Sequence, residues 1–168
     1  MTVDEPKVSV EPARLAWLEA LAEGDGVFAD RFDIPVEPGW IVFPESVPHG
    51  LDQVRRGQPP DWGYHLLFDT ADGALVGNGG WTGEPVDGVA ELGYAVAPGR
   101  RGRGIATAAV RTLLERGRAA GLAVAVAHTL PAESASTTVL TRCGFTRVGE
   151  DLDPQEGPVW RWELPLRG

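Results

Sequence analysis

The chain has 168 residues, 43% of them hydrophobic, which is enough for one well-buried domain and short for two. Its formal net charge of −9 argues against steering nucleic acid to the surface as a whole, so any basic patch must be local. The single cysteine, Cys143, excludes an intrachain disulfide and fits a reducing compartment, and His49, His65 and His128 lack metal-ligand spacing, so no metal is expected. Acids at Asp4 and Glu5 without an apolar core segment argue against a signal peptide or anchor, and no run is long enough to span a bilayer. The expectation is one cytoplasmic domain over residues 1–168, a monomer or homodimer, with neither a membrane nor a nucleic-acid partner.

Taken in order, residues 8–10 suit a short first strand, and Glu11-Pro12 a helix start, since proline is tolerated in a first turn. Leu15, Trp17, Leu18, Leu21 and Ala22 give that helix a broad apolar face, ended by Gly24 and Gly26. Residues 27–60 hold six prolines and are expected to be irregular, apart from a short helix at 51–55. They also carry Phe28, Phe32, Trp40, Ile41 and Phe43, too much apolar surface to stay solvated, so a packed wall is expected. Residues 63–68 and 74–81 read as strands joined by a turn at Ala71-Asp72-Gly73. Gly77, Gly79 and Gly80 in the second of these mark either a bulge or clearance for a ligand. A turn at Asp87-Gly88 leads to a third strand, residues 89–97, and completes an antiparallel meander. An amphipathic helix, with Ala106, Val110, Leu113, Gly117 and Ala120 at spacings of three or four, then crosses to a parallel strand at 122–128. A helix at 134–142 and an antiparallel pair, 145–150 with 159–164, close the chain.

Between the third strand and the crossover helix lies Pro-Gly-Arg-Arg-Gly-Arg-Gly-Ile-Ala, residues 98–106. A helix N-terminus has unpartnered N–H groups and partial positive charge, so arginines there are unfavourable until an anion docks. Glycines at 102 and 104 allow that anion close to the backbone. The bland reading is a Gly-rich turn whose arginines are solvated. A Walker A loop is excluded because Ile105 and Ala106 follow Gly104 where Lys and Ser/Thr are required, and a dinucleotide fingerprint because Thr107 stands at its third glycine.

The motif Arg101-x-x-Gly104-x-Ala106, between the strand Glu-Leu-Gly-Tyr-Ala-Val and the long helix and followed downstream by Arg142-Cys143-Gly144-Phe145, resembles the acyl-CoA pyrophosphate loop of the GNAT superfamily of N-acetyltransferases. The resemblance spans roughly the C-terminal two thirds and is closest to the branch of ribosomal-protein N-terminal acetyltransferases. It implies a mixed α/β (α+β) GNAT-like acyl-CoA N-acyltransferase fold, a meander and then a parallel β-α-β crossover, with acetyl-CoA as co-substrate in the splayed strand pair. It further implies cofactor contacts at Val96, Ala97, Arg101, Gly102, Arg103, Gly104, Ile105, Ala106 and Ser136, and direct acetyl transfer to an amine, either a peptide N-terminus or a small molecule. Residues 27–60 would form the acceptor side.

For the chemistry, Glu91 shares a strand face with Gly93 and Ala95, which leave room for a substrate beside a carboxylate. The family often places its general base here, directly or through a water, and the alternative is a Glu that pairs with an arginine or caps a loop. Ser136 is the second catalytic candidate, as a hydrogen-bond donor to the sulfur or pantetheine, or else a helix-turn serine. The family's Asn and Tyr positions hold Glu133 and Leu140, which keeps open a non-catalytic acyl-CoA-binding module. Tyr94, opposite Glu91 on the strand, is expected in the core, and Cys143 is expected to be an inert, packed thiol.

Overall fold

A computed structural model describes residues 6–167, so Asp4 and Glu5 lie outside the described residues. Seven strands form one sheet: β1 (Val8–Pro12), β2 (Tyr64–Asp69), β3 (Leu75–Trp81), β4 (Val89–Val96), β5 (Val124–Thr129), β6 (Thr146–Asp153) and β7 (Gly157–Pro165). They run in the order β1-β2-β3-β4-β5-β7-β6. The first four are antiparallel neighbours, β4 and β5 are parallel, and β7 lies antiparallel between β5 and β6. This is the predicted mixed α/β meander and crossover, and the helix that makes the crossover is α4 (Ile105–Ala119).

The strand period of two sends alternate residues to opposite faces, and both faces are covered. On β2, Leu67 packs with Val76, Leu92, Val96, Ile105 and Leu113 under α4, whereas Leu66 packs with Leu18, Phe28 and Leu51 under α1 (Leu15–Glu23), α2 (Asp25–Phe32) and α3 (Ser46–Arg55). Both leucines are fully buried, so truncating either to alanine would cost about 2–5 kcal/mol.

Several boundaries differ from expectation. Pro12 does not start a helix; it ends β1, an edge strand in which a missing N–H costs little. Gly24 ends α1, but Gly26 lies inside α2, which begins at Asp25. Residues 27–60 are more regular than predicted, because α2 runs to Phe32 and α3 begins at Ser46 with Pro48 in its first turn, where no intrahelical acceptor awaits an N–H. The intervening stretch is pinned by Trp40, 1% exposed, whose indole N–H donates to Asp25 Oδ1 at 3.1 Å and whose carbonyl accepts from Asn78 Nδ2 at 3.1 Å. The β3 glycines serve the sheet itself: a Cβ at Gly77 would stand 2.2 Å from the Ala95 carbonyl oxygen, and one at Gly80 2.2 Å from that of Gly63. The last helix, α5 (Ala135–Arg142), starts at a Ser134–Thr137 capping box.

Candidate active site

The backbone ladder between β4 and β5 has only three rungs, Val89 with Val124, Ala90 with Ala125 and Glu91 with Val126. Beyond Glu91 the strands part, and a cleft of about 320 Å³ opens between them. Gly93 and Ala95 of β4, His128 and Thr129 of β5 and Ser136 of α5 line one side, with Phe43, His49 and Tyr64 opposite. Residues 27–60 thus supply a wall of the cleft, as expected. Its polar groups include Tyr64, whose burial outweighs a hydrogen bond with Ser46 and pushes its pKa up to about 12. Gln53, behind His49, keeps its Oε1 buried without a partner among the described residues.

Past Ala95, the last residue of β4 to line the cleft, the chain passes through a 3-10 turn, Pro98–Arg100, into the loop before α4. Gly102 and Gly104 have φ of 78° and 79°, a region open to glycine. A Cβ on Gly102 would meet nothing within 4 Å, so the surface is open there as well as left-handed. Gly104 caps α4 without a side chain, and among the described residues no acceptor faces the amides of residues 102–107. Arg101, Gly102 and Arg103 are exposed, Gly104 and Ala106 are half-buried, and Ile105 is buried under the helix. Val96 and Ala97 form the loop's floor: their side chains are buried, the Val96 carbonyl accepts from Arg101 Nε at 3.2 Å, and Ala97 N–H donates to Val76.

The three arginines are not equivalent. Arg100 turns away and is held by Asp72 at 2.8 Å, Asp69 at 2.9 Å and Glu37 at 3.1 Å. The hydrogen bonds it donates to Asp72 and then to Asp69 raise its pKa. Only Arg101 and Arg103 remain near the loop, joined by Lys7, whose Nζ donates to the Arg103 carbonyl at 3.3 Å. Sequence spacing gave no signal for Lys7, because β1 brings it there from 96 residues away.

At the apex of the splay stands a second cluster. Glu91 Oε1 accepts from His128 Nδ1 at 2.5 Å, and Asp151 Oδ2 of β6 accepts from His128 Nε2 at 2.7 Å, with Arg161 of β7 3.4 Å from the same carboxylate oxygen. With both ring nitrogens donating to carboxylates, the imidazole is held as the cation. Burial pushes its pKa down, but the bonds to Asp151 and Glu91 outweigh that and leave it raised. His128 lines the cleft and also a surface depression it shares with Glu91 and Asp151, whereas Glu91 lines the depression alone. The positional argument for Glu91 therefore needs correction: Gly93, Ala95 and His128 line the cleft, whereas Glu91 lines the depression and meets His128 there.

Ser136 lines the cleft at the second residue of α5, and the capping role belongs to Ser134. Tyr94 is not simply core: it also lines the cleft, and its hydroxyl donates to the Ser136 carbonyl at 2.9 Å. Cys143 is half-buried with Sγ 3.8 Å from the Thr107 carbonyl, and burial raises its pKa, as befits an inert thiol. Among the described residues no cluster of His, Cys, Asp or Glu could hold a metal, and no helix is long and apolar enough to cross a membrane.

A model of the acetyltransferase (GNAT) domain matches residues 31–146, which is more than half the chain. The chain belongs to the GNAT acetyltransferase family. No curated protein matches it. Among solved structures, this GNAT fold superposes on ribosomal-protein-S5-alanine acetyltransferase from Vibrio fischeri with a TM-score of 0.69, 15% identity, and 99% and 97% of the two chains covered. Spermidine N-acetyltransferase from Vibrio cholerae, as an N152L mutant, gives 0.67 at 12% identity over 96% and 95%. A putative acetyltransferase from Salmonella typhimurium, solved with its cofactor acetyl-CoA, gives 0.64 at 19% identity over 95% and 94%.

Proposed function

We propose that this GNAT protein is a single domain over residues 1–168 that moves an acetyl group from acetyl-CoA directly to an amine. The reading is carried by one juxtaposition. Six consecutive amides that meet no acceptor among the described residues, flanked by Arg101, Arg103 and Lys7, follow the strand β4 that lines the cleft, and His128 of a Glu–His–Asp cluster lines the same cleft. The loop fits a pyrophosphate: the open surface over Gly102 admits it, the amides of residues 102–106 hydrogen-bond it, and the cations of Arg101 and Arg103 balance it. Val96 and Ala97 seat the loop, and the splay beyond Glu91 leaves both strand edges open to the pantetheine arm.

Acetyl-CoA supplies an activated thioester, and the chain's own groups handle the protons. An acceptor arriving as an ammonium must lose one proton before attack, a task for His128, which lines the cleft and whose ring is bonded to Glu91. The attacking nitrogen loses a second, which the departing thiolate takes up to leave as the free thiol of CoA, and Ser136, which lines the cleft, is the hydroxyl that would donate a hydrogen bond to that sulfur. The acceptor is a peptide N-terminus or a small amine; the solved proteins of similar fold include a ribosomal-protein-S5-alanine acetyltransferase and a spermidine N-acetyltransferase.

Calorimetric titration with CoA and with ATP, together with thiol release from acetyl-CoA over a panel of peptides, polyamines and small amines, tests this reading. Binding of CoA but not ATP, with thiol release that depends on an amine, is expected. Binding without thiol release over the panel would indicate a silent acyl-CoA-binding module, and equal ATP binding a general phosphate site.

A further inference from the structure

Resting on that reading, the geometry points to a division of labour inside the cluster: His128 is the catalytic base facing the acceptor, Glu91 is its positioning residue, and Asp151 is the proton's way out. Three observations support this. His128 alone of the three lines the cleft. Its Nδ1 is held by Glu91 at the last rung of the β4–β5 ladder, which fixes the ring where the strands begin to part. Its Nε2 reaches Asp151, whose side chain is 42% exposed and opens to solvent.

The arrangement in hand is the proton-loaded state, because both nitrogens donate. A neutral ring keeps its Nδ1–H on Glu91 and has a lone pair on Nε2. That lone pair takes one proton from the acceptor ammonium as the N–H bond breaks, giving a neutral amine and an imidazolium. With Nδ1 still held by Glu91, the imidazolium donates its Nε2–H to Asp151, as in the arrangement in hand, and Asp151 passes the proton to water, which restores the neutral ring. One proton enters and one leaves, matching the single proton that acetylation of an ammonium releases. Glu91 donates nothing and accepts no substrate proton; it selects the tautomer that presents Nε2.

The charged groups facing His128 are Glu91 from β4, Asp151 and Asp153 from β6, and Arg161 from β7, itself paired with Glu163. Removing one carboxylate from this set must make the imidazolium easier to deprotonate. The test compares His128→Gln, Glu91→Gln and Asp151→Asn by kcat/KM against pH, with the best acceptor from the panel, and follows the His128 ring by NMR titration in the last two. His128→Gln is expected to lower kcat/KM by about 10²–10⁴ at neutral pH, with CoA affinity unchanged, and to abolish the acid limb of the profile. Glu91→Gln should lose less. Asp151→Asn should keep most of the alkaline plateau while moving both the acid limb and the ring's titration to lower pH by about one unit or more.

A His128→Gln protein within tenfold of the parent, or a Glu91→Gln protein damaged more than it, would overturn the assignment in favour of Glu91 as the direct base. An acid limb and ring titration unmoved in Asp151→Asn would remove Asp151 from the path. CoA titration, measured separately, distinguishes these failures from failure of the acetyltransferase reading itself.

Discussion

Replacing Arg100 by methionine separates the stabilising arginine of the loop from the two available to a ligand. Its side chain is 13% exposed, and its partners range from Asp69 at 6% through Glu37 at 24% to Asp72 at 47%. Loss of one partner from a buried pair typically costs 3–5 kcal/mol, whereas an exposed pair is worth about 0–1 kcal/mol. The Asp69 contact belongs nearer the first class and the Asp72 contact to the second, so the expected cost is about 2–4 kcal/mol. For a chain of this size that lowers Tm by roughly 5–12 °C. Without Arg100, three carboxylates repel one another, so the deficit should be greatest near neutral pH. Calorimetric melting across pH 4–8, with CoA titration of the folded variant at low temperature, measures both effects. A drop below about 2 °C at pH 7, or a CoA affinity that falls as it does for Arg103→Ala, would refute the separation.

Arg103→Ala should do the reverse, weakening CoA by about 1.5–3 kcal/mol in calorimetry while leaving Tm nearly unchanged, since Arg103 is 58% exposed and 3.9 Å from Asp69. Gly104→Val should abolish CoA binding and also lower Tm, because φ of 79° strains any branched side chain and the new Cβ would sit 3.1 Å from Lys7 Nζ. Cys143→Ser should retain turnover within about tenfold; a larger loss with an acetylated cysteine trapped in mass spectrometry would indicate a covalent route. Because His128 has a raised pKa when folded, its bonds stabilise the protein fully below the ordinary histidine value of 6.5 and fade as pH rises through the raised one. Urea unfolding of the parent should lose stability over that alkaline window, and His128→Gln should flatten the loss.

The sheet and crossover were readable because their signals are local: apolar runs between Gly- and Pro-rich turns, and one long amphipathic helix. The loop was readable for the same reason, since its glycines and arginines are contiguous. What escaped was set by distance in the chain. Arg100 cannot be told from Arg101 and Arg103 by spacing, and its role follows from Asp69 and Asp72, which the β2–β3 turn carries to it. His128 was one of three scattered histidines until strand pairing set it between Glu91 and Asp151. Two features misled: the prolines of residues 27–60 suggested irregularity, although Pro48 sits where a helix tolerates it, and strand alternation assigned Tyr94 to the core, although a splayed edge exposes either face.

The position of β7 between β5 and β6 dictates an order of assembly. β6 pairs with nothing in the sheet except β7, and β7 is made after it. Until residues 157–165 emerge, β6 has no template and β5 keeps an open edge, even though the meander and crossover before them have all their strands. During synthesis, then, one half of the sheet can form early while the other presents the unpaired backbone that invites association with other chains. The same delay separates Asp151 from His128, so the Glu–His–Asp cluster is completed only when β7 inserts and draws β6 into line.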